Sequence, residues 1–394
     1  MKICAIVAEF NPFHNGHKYL IEQAKIKSGC DAVLCVMSGN FVQRCEPAVF
    51  DKSVRVKSAL LCGADIVVEL PVLYSTANAE CFARGAVEII NRIKNVTHIA
   101  FGCENDNIDV IQKLAEIRAE ESEDFKNNLK KFLSEGLPYP SAHAKATVIE
   151  AEKRGIDNTM SDKILKQPNN LLAIEYCKQL IKQKTNIESI AILRKGADHH
   201  DSEIRGNFAS AQSIREKIKS GEIADITHTV PTEILDLIMS VKQIPNGQLF
   251  KELALYSLKT KEPSHLFDAG EGIEIKLRKN ALELPSLDDV INSTKTKRYS
   301  HVRLNRLCLQ SLLGIYKNSL FSDPSIPVRL LGIKKDLKKN ISDICDSFII
   351  KNEDLSRIAS THKEYIRTEE TAAAVYSQIS KSENTMYKSK LIEM

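Results

Sequence analysis

Two histidines, His14 and His17, stand where an apolar run ends and a helical pattern begins, with Asn15-Gly16 between them. Ile3–Ala8 is a continuous apolar run, the pattern of a strand buried on both faces. Residues 17–28 follow with helical spacing, Leu20, Ile21, Ala24 and Ile26 on one side and Glu22, Lys25 and Lys27 elsewhere. A turn of this kind opens onto the crevice where open parallel sheets bind ligands. The free N–H groups of a helix start there make an anion site. Imidazoles donate to phosphate oxygens either as the neutral ring or as imidazolium. Pro12 fixes the turn, and Gly16 permits close approach. Taken singly, one histidine reads as a surface residue and the other as a helix cap. The pair around a glycine, at this turn, points to a phosphate site.

The remaining elements must hold that turn. Residues 31–37, 65–70, 97–102 and 189–193 read as strands, and residues 52–62, 78–93, 170–184 and 211–219 as helices. Strand and helix in alternation imply a parallel sheet with right-handed crossovers. Residues 107–155 are charged and helical in pattern, an insertion or lid. The main boundary falls near Ser220-Gly221, and beyond it the pattern is mostly helical: residues 303–315 and 372–379 are the clearest helices, whereas 328–333 is short and ambiguous. This gives an α/β catalytic unit over residues 1–220, with the 107–155 helical insertion, and a mostly helical C-terminal domain over 221–394.

The chain has 394 residues, a formal charge of +4 and 43% hydrophobic residues, which suits an ordinary globular protein of two or three domains. So small a basic excess does not itself argue for nucleic acid. Its ten cysteines are scattered, with no Cys-x-x-Cys pair and no zinc spacing, so the expectation is a reducing compartment, no disulfide and no metal ligand set. No run reaches the roughly 18 apolar residues of a membrane span. A cytoplasmic protein with no membrane association and no obligate protein partner is expected.

The stretch Val7-Ala8-Glu9-Phe10-Asn11-Pro12-Phe13-His14-Asn15-Gly16-His17 resembles the HxGH signature of the nucleotidyltransferase superfamily. Around it come Val36-Met37-Ser38-Gly39-Asn40-Phe41-Val42-Gln43-Arg44 with Glu46-Pro47-Ala48, then Gly63-Ala64-Asp65 and its strand, then Phe82-Ala83-Arg84-Gly85. Phe101-Gly102-Cys103-Glu104, Gln167-Pro168-Asn169-Asn170 and Ser210-Ala211-Gln212-Ser213-Ile214-Arg215 follow. In this order the set resembles the tRNA(Met) cytidine acetate ligase family. Features of the C-terminal half, Thr296-Lys297-Arg298-Tyr299, Arg303, Arg306 and the segment 329–333, also look like that family.

The resemblance implies a Rossmann-like parallel sheet of the HxGH nucleotidyltransferase type. It implies activation of acetate by ATP to acetyl-adenylate, then transfer of the acetyl group to N4 of the wobble cytidine of elongator tRNA(Met). ATP is then a substrate, accompanied by Mg²⁺, and no tightly bound cofactor is expected. His14 and His17 become the catalytic pair. ATP is expected along Val7, Ala8, Glu9, Phe10, Asn11, Pro12, Phe13, His14, Asn15, Gly16, His17, Lys18, Tyr19 and Leu20, and at Gly102, Asn169, Arg194 and Lys195. Asn169, after Pro168, also reads as an N-cap. Lys297, Arg298, Arg303 and Arg306 become candidates for tRNA phosphates, Arg303 and Arg306 sharing a helix face. The second cluster, Lys334, Lys335, Lys338 and Lys339, reads as a solvated face.

Three departures stand out. Cys45 lies where the family usually has glycine, Ser53 where an aromatic is common, and Gln212 where a hydroxyl residue is usual. Two alternatives remain open on the residues alone. A small-molecule adenylyltransferase would use the same turn and would not need the long C-terminal half, so activity surviving removal of residues 231–394 would favour it. A non-catalytic RNA- or nucleotide-binding protein would fit the basic helix but leaves the paired histidines idle.

Overall fold

The computed structural model describes residues 1–195, 206–296, 298–319, 325–383, 386 and 390–394. Its centre is a sheet in the order β5-β4-β1-β2-β3-β6-β7, with β8 also paired to β6. The strands are β1 (Ile3–Ala8), β2 (Ala32–Ser38), β3 (Ile66–Leu70), β4 (Val96–Cys103), β5 (Glu188–Leu193), β6 (Val328–Ile333), β7 (Phe348–Ile349) and β8 (Ile392–Glu393). The first five run parallel, and β6 joins β3 antiparallel. The α/β expectation therefore holds, with a sheet that is mostly parallel.

Side-chain alternation sends each strand into two cores. Ile3 and Ala5 of β1, with Ala32, Leu34 and Val36 of β2, face one core. Cys4 and Ile6, with Val33, Cys35 and Met37, face the other. That two-sided burial is why these strands read as unbroken apolar runs. Helices Asn15–Ser28, Lys52–Leu61 and Ala211–Lys219 cover the second face through Ile21, Ala24, Val56, Ala59, Ile214 and Ile218. Helices Ala79–Asn91, Ile108–Glu120 and Pro168–Lys182 cover the first.

Residues 107–155 are helical, as their pattern implied: Ile108–Glu120, Glu123–Ser134 and Tyr139–Lys153. Ile111, Leu114, Phe125 and Ala146 belong to the first core, so this segment packs as part of the body.

The C-terminal half is mostly helical but does not stand apart. The ambiguous stretch 328–333 is β6, inside the sheet and buried along its whole length. Ala254, Leu258, Leu304 and Leu307 join the same core as β1 and β2. No break in the core marks Ser220-Gly221. All ten cysteines are free. Among the described residues no helix is long and apolar enough to cross a membrane.

Candidate active site

A cavity of about 240 Å³ opens at the carboxyl ends of β1 and β4. The chain turns from β1 to β2 on one side and places β4 on the other, so this is the switch point of the sheet. Val7, Ala8, Glu9, Phe10, Asn11, His14, His17 and Leu20 line it from β1 and the turn, and Gly102, Asn169 and Arg194 from across the switch.

The two histidines are fixed by the backbone of their own helix. His14 is the N-cap of helix Asn15–Ser28, and its Nδ1 accepts from the Gly16 N–H at 3.1 Å. His17, at the third helical position, returns the bond: its Nδ1 accepts from the His14 N–H at 3.3 Å. This is a capping box built from imidazoles. With Nδ1 engaged as an acceptor in both rings, each neutral imidazole carries its proton on Nε2. Burial pushes the His14 pKa down to about 3, with Arg194 and Arg215 adding to the effect. Burial, then the neighbouring His14, holds His17 well below its ordinary value. The pair therefore presents neutral N–H donors, not imidazolium. The rings stack at 3.8 Å between centroids. The edge of Phe10 (5.1 Å) and the tilted ring of Phe13 (5.5 Å) brace His17. Phe10 carries φ of +47° to reach that position, a backbone cost of order 1–3 kcal/mol for a bulky residue.

The helix period sorts the predicted turn residues. His14, His17 and Leu20, three apart, face the cavity. Asn15 turns away, its Nδ2 donating to the carbonyls of Asn207 (2.8 Å) and His228 (2.9 Å). Lys18 pairs with Glu233. Pro12 and Phe13 are buried, and the Lys195 ammonium lies 4.3 Å over the Tyr19 ring. Gly16 leaves space for the His14 ring, whose Cε1 would sit 2.9 Å from an added Cβ. Pro12, Phe13, Asn15, Gly16, Lys18, Tyr19 and Lys195 are not among the residues that line the cavity.

Across the switch, Glu104 straps β4 to helix Pro168–Lys182. Its Oε1 accepts from Asn169 Nδ2 at 2.6 Å and its Oε2 from the Asn170 N–H at 2.8 Å. Asn170 Oδ1 answers by accepting from the Glu104 N–H at 2.9 Å. Asn169 is not the N-cap that its sequence position suggested. Gln167 holds that place, and Asn169 lies within the first turn with its side chain on the cavity wall. Gly102 lines the cavity, and a Cβ there would meet the Arg194 Cγ at 3.4 Å, an ordinary van der Waals contact.

The HIGH Nucleotidyl Transferase family model matches residues 1–390. A tRNA(Met) cytidine acetate ligase of Clostridium perfringens is 41% identical over 355 residues, 86% of this chain and 88% of that protein. One of Clostridium acetobutylicum is 34% identical over 98% of both chains. The chain belongs to the tRNA(Met) cytidine acetate ligase family. Two crystal structures of Thermotoga maritima TmcAL superpose over the full length of both chains. The apo form has a TM-score of 0.92 at 27% identity, and the form bound with alpha-thio ATP has 0.90 at 26%.

Family membership gives weight to cavity residues that the site prediction left out: Gln43, Arg44, Glu46, Phe82, Phe101, Leu172, Tyr176, Ser210, Gln212 and Arg215. Most lie in the quoted family segments, so the signal was present. Leu172 and Tyr176 lay in none, yet Asn169, Leu172 and Tyr176 share one helix face by their spacing. Arg215 Nη1 donates to the Asn11 carbonyl at 2.8 Å. Gln212 accepts from Arg44 Nη1 at 3.1 Å and donates to Glu216, so the amide that replaces the usual hydroxyl orients an arginine on the cavity wall. Glu9 Oε1 accepts from the Gln43 N–H at 2.7 Å, and burial raises its pKa. Cys45 has φ of +62°, the left-handed backbone that explains a glycine preference at this position.

Behind the loops sits Arg55, 1% exposed, donating to four backbone carbonyls: Phe50 (3.0 Å), Glu9 (3.0 Å), Ser38 (2.8 Å) and Gly39 (2.5 Å). One guanidinium thereby gathers the ends of β1 and β2 and the loop before helix Lys52–Leu61.

The basic residues expected for RNA are engaged with carboxylates. Arg298 pairs with Glu271 at 2.9 Å, Arg303 with the same carboxylate at 3.1 Å, and Arg306 with Asp268 at 2.9 Å. Arg303 and Arg306 do share a helix face, which clamps the turn at 268–271. Lys297 lies outside the described residues. Of the second cluster, Lys334 pairs with Asp65 and Lys338 with Glu393.

Proposed function

We propose that this chain is an ATP-dependent ligase that activates acetate and transfers the acetyl group to N4 of the wobble cytidine of elongator tRNA(Met). In the first step an acetate oxygen attacks the α-phosphorus, the bond to the bridging oxygen breaks and pyrophosphate leaves. In the second, N4 attacks the acetyl carbon, AMP departs with the oxygen that joined them, and N4 gives up a proton. The observation that carries this reading is the His14–His17 pair, two neutral Nε2–H donors at the switch point, in a chain of this family. Neutral donors held by their own backbone stabilise developing charge on phosphoryl oxygens without reorganising. Arg194 on one side, and Arg44 and Arg215 on the other, supply fixed positive charge for the phosphates.

ATP lies along the cavity face of the turn, from Val7 to Leu20, with Gly102, Asn169 and Arg194 on the β4 side; His14 and His17 are the catalytic pair. Arg298, Lys297, Arg303 and Arg306 form the RNA-facing basic group, residues 1–220 carry the adenylate chemistry and 221–394 most of the RNA contacts. Mg²⁺ accompanies the triphosphate. Among the described residues no three His, Cys, Asp or Glu side chains gather as a metal set, and Glu9 and Glu46 are the carboxylates on the cavity wall. That donor set fits an ion shared with phosphate oxygens, as Mg²⁺ prefers, where it would neutralise charge on the leaving pyrophosphate. Ten free thiols and an RNA substrate favour the cytoplasm.

The test is nucleoside mass spectrometry of elongator tRNA(Met) after incubation with enzyme, ATP and labelled acetate. Labelled N4-acetylcytidine at the wobble position is expected. Its absence, with folded enzyme and intact tRNA, overturns the reading.

A further inference from the structure

A second, larger cavity of about 460 Å³ lies beside the ATP cavity and has no part in the chemistry described so far. One wall is the loop after β2, Cys45, Glu46, Pro47 and Val49; the others come from helices Gly247–Thr260, Leu287–Thr294 and His301–Leu313. Glu46 lines both cavities. The two spaces are thus neighbours across one side chain, on the β2 side of the switch, opposite the Gly102 and Arg194 side.

We propose that this cavity holds one nucleotide of single-stranded RNA and sets the reacting cytidine against the ATP cavity across Glu46. The inference rests on the ligase reading above. Its volume is that of a small-molecule site. It combines an aromatic face, Phe250, with amide and imidazole groups, Asn292, Asn305 and His301. These three polar side chains form no hydrogen bond within the described residues, so their donors and acceptors are available to a base edge. Carboxylates accept from the exocyclic amine of cytosine, and Glu46 occupies the wall where that amine must arrive. Lys219, exposed and at the rim, is placed for a backbone phosphate. Single-stranded bases are recognised by such a pairing of an aromatic face with edge-reading polar groups, once they leave their stack. A partner protein would instead call for a broad surface, not a pocket of this size beside the reactive centre.

The test separates the half-reactions. Gly247 lines the cavity, and a Cβ added there meets nothing within 4 Å, so Gly247→Trp fills the space without crowding the backbone. Asn305→Ala, half-exposed on its helix, is the milder second variant. Acetate-dependent ATP–pyrophosphate exchange and labelled-acetate transfer to an elongator tRNA(Met) transcript are measured on full-length protein. Exchange within twofold of wild type is expected for both, with kcat/KM for tRNA acetylation lowered at least 100-fold by Gly247→Trp and about 10-fold by Asn305→Ala. Acetylation at wild-type rates in both variants overturns the proposal. So does equal loss of exchange and acetylation in folded Asn305→Ala, which would assign the cavity to adenylate formation. Failure of the ligase reading is distinct: wild-type protein itself would then show neither exchange nor acetylation.

Discussion

His14 caps a helix and faces the ATP cavity, and the two roles use different nitrogens. Nδ1 accepts from the Gly16 N–H, while under the proposed function Nε2–H is the group offered to phosphate. Replacement by asparagine keeps an acceptor at the Nδ1 position and removes Nε2–H. Asparagine is among the best N-caps, so stability should change by less than about 0.5 kcal/mol. The lost donor should lower acetate-dependent ATP–pyrophosphate exchange by roughly 10²–10³-fold, about 2.7–4 kcal/mol, the cost of deleting one donor to a developing oxyanion. His14→Ala should lose the same activity and a further 0.5–2 kcal/mol of stability with the cap. His14→Gln is the reverse case: its amide N–H approaches the Nε2 position, but the cap is lost, so part of the activity returns in a less stable protein. Exchange rates with thermal melts on all three variants read this out. Wild-type exchange in His14→Asn would refute the reasoning and leave His14 as a cap alone.

Three further outcomes follow from buried charge. Unfolded imidazoles take a proton below about pH 6.5, but folded His14, and His143 buried on helix Tyr139–Lys153, do so only near pH 3 because burial disfavours the charged ring. Stability is therefore full above pH 6.5 and falls as pH drops, by about 2 kcal/mol per histidine at pH 5; urea denaturation at pH 5 and pH 8 should show it, and His14→Asn should lose one share of the pH dependence. Arg55→Met leaves four carbonyls, three of them buried, without their donor and should cost about 3–5 kcal/mol, with Arg55→Lys recovering only part because one ammonium cannot reach all four; a denaturation midpoint equal to wild type in Arg55→Met would count against this. Arg306→Gln strips Asp268 of a half-buried partner and should lower stability by about 1–2 kcal/mol, whereas exposed Arg298→Gln should spare stability and reduce the slope of log tRNA affinity against log salt by roughly 0.7–0.9.

Much of the catalytic half was legible because two-sided burial and helical period leave direct marks in sequence. β1 coincides with its apolar run, and the other parallel strands and their helices lie within a few residues of their patterns. The histidine pair was legible from its place after β1. Its protonation was not, since that depends on burial and on backbone groups which only the folded turn brings together. Gly16 makes room for the His14 ring, a side chain of the protein itself, which its place in the turn did not announce. Contacts distant in sequence left no local trace. Arg55 reads as one charge on an amphipathic helix, and the carboxylates that engage Arg303 and Arg306 lie some thirty residues earlier, in a stretch with no charge periodicity to announce them. β6 was ambiguous because so short a run, Val328-Arg329-Leu330-Leu331-Gly332-Ile333, fits a strand or a helix turn equally well, and only the open edge of β3 decides between them.

That edge bears on how an adenylyltransferase acting on a small molecule would be told apart from a tRNA ligase. Removing residues 231–394 looks decisive from sequence, since a small adenylyltransferase needs no such extension. In the fold the same cut takes β6 from β3. It also removes the Tyr376 hydroxyl that donates to the Ala48 carbonyl at 2.9 Å and the Arg329 guanidinium 3.5 Å from buried Glu69. Among the described ion pairs Glu69 would keep Lys52 alone, and the β2 loop, which carries Gln43, Arg44 and Glu46, would lose one of its anchors. The core that Leu304 and Leu307 share with β1 and β2 would open to water. Loss of activity on truncation is therefore expected under either reading and discriminates nothing. The discriminating experiment keeps the chain whole and varies the acceptor. A tRNA ligase gives acetylated tRNA, and its adenylate formation depends on acetate alone. An adenylyltransferase gives a stable adenylylated small molecule at a rate indifferent to tRNA.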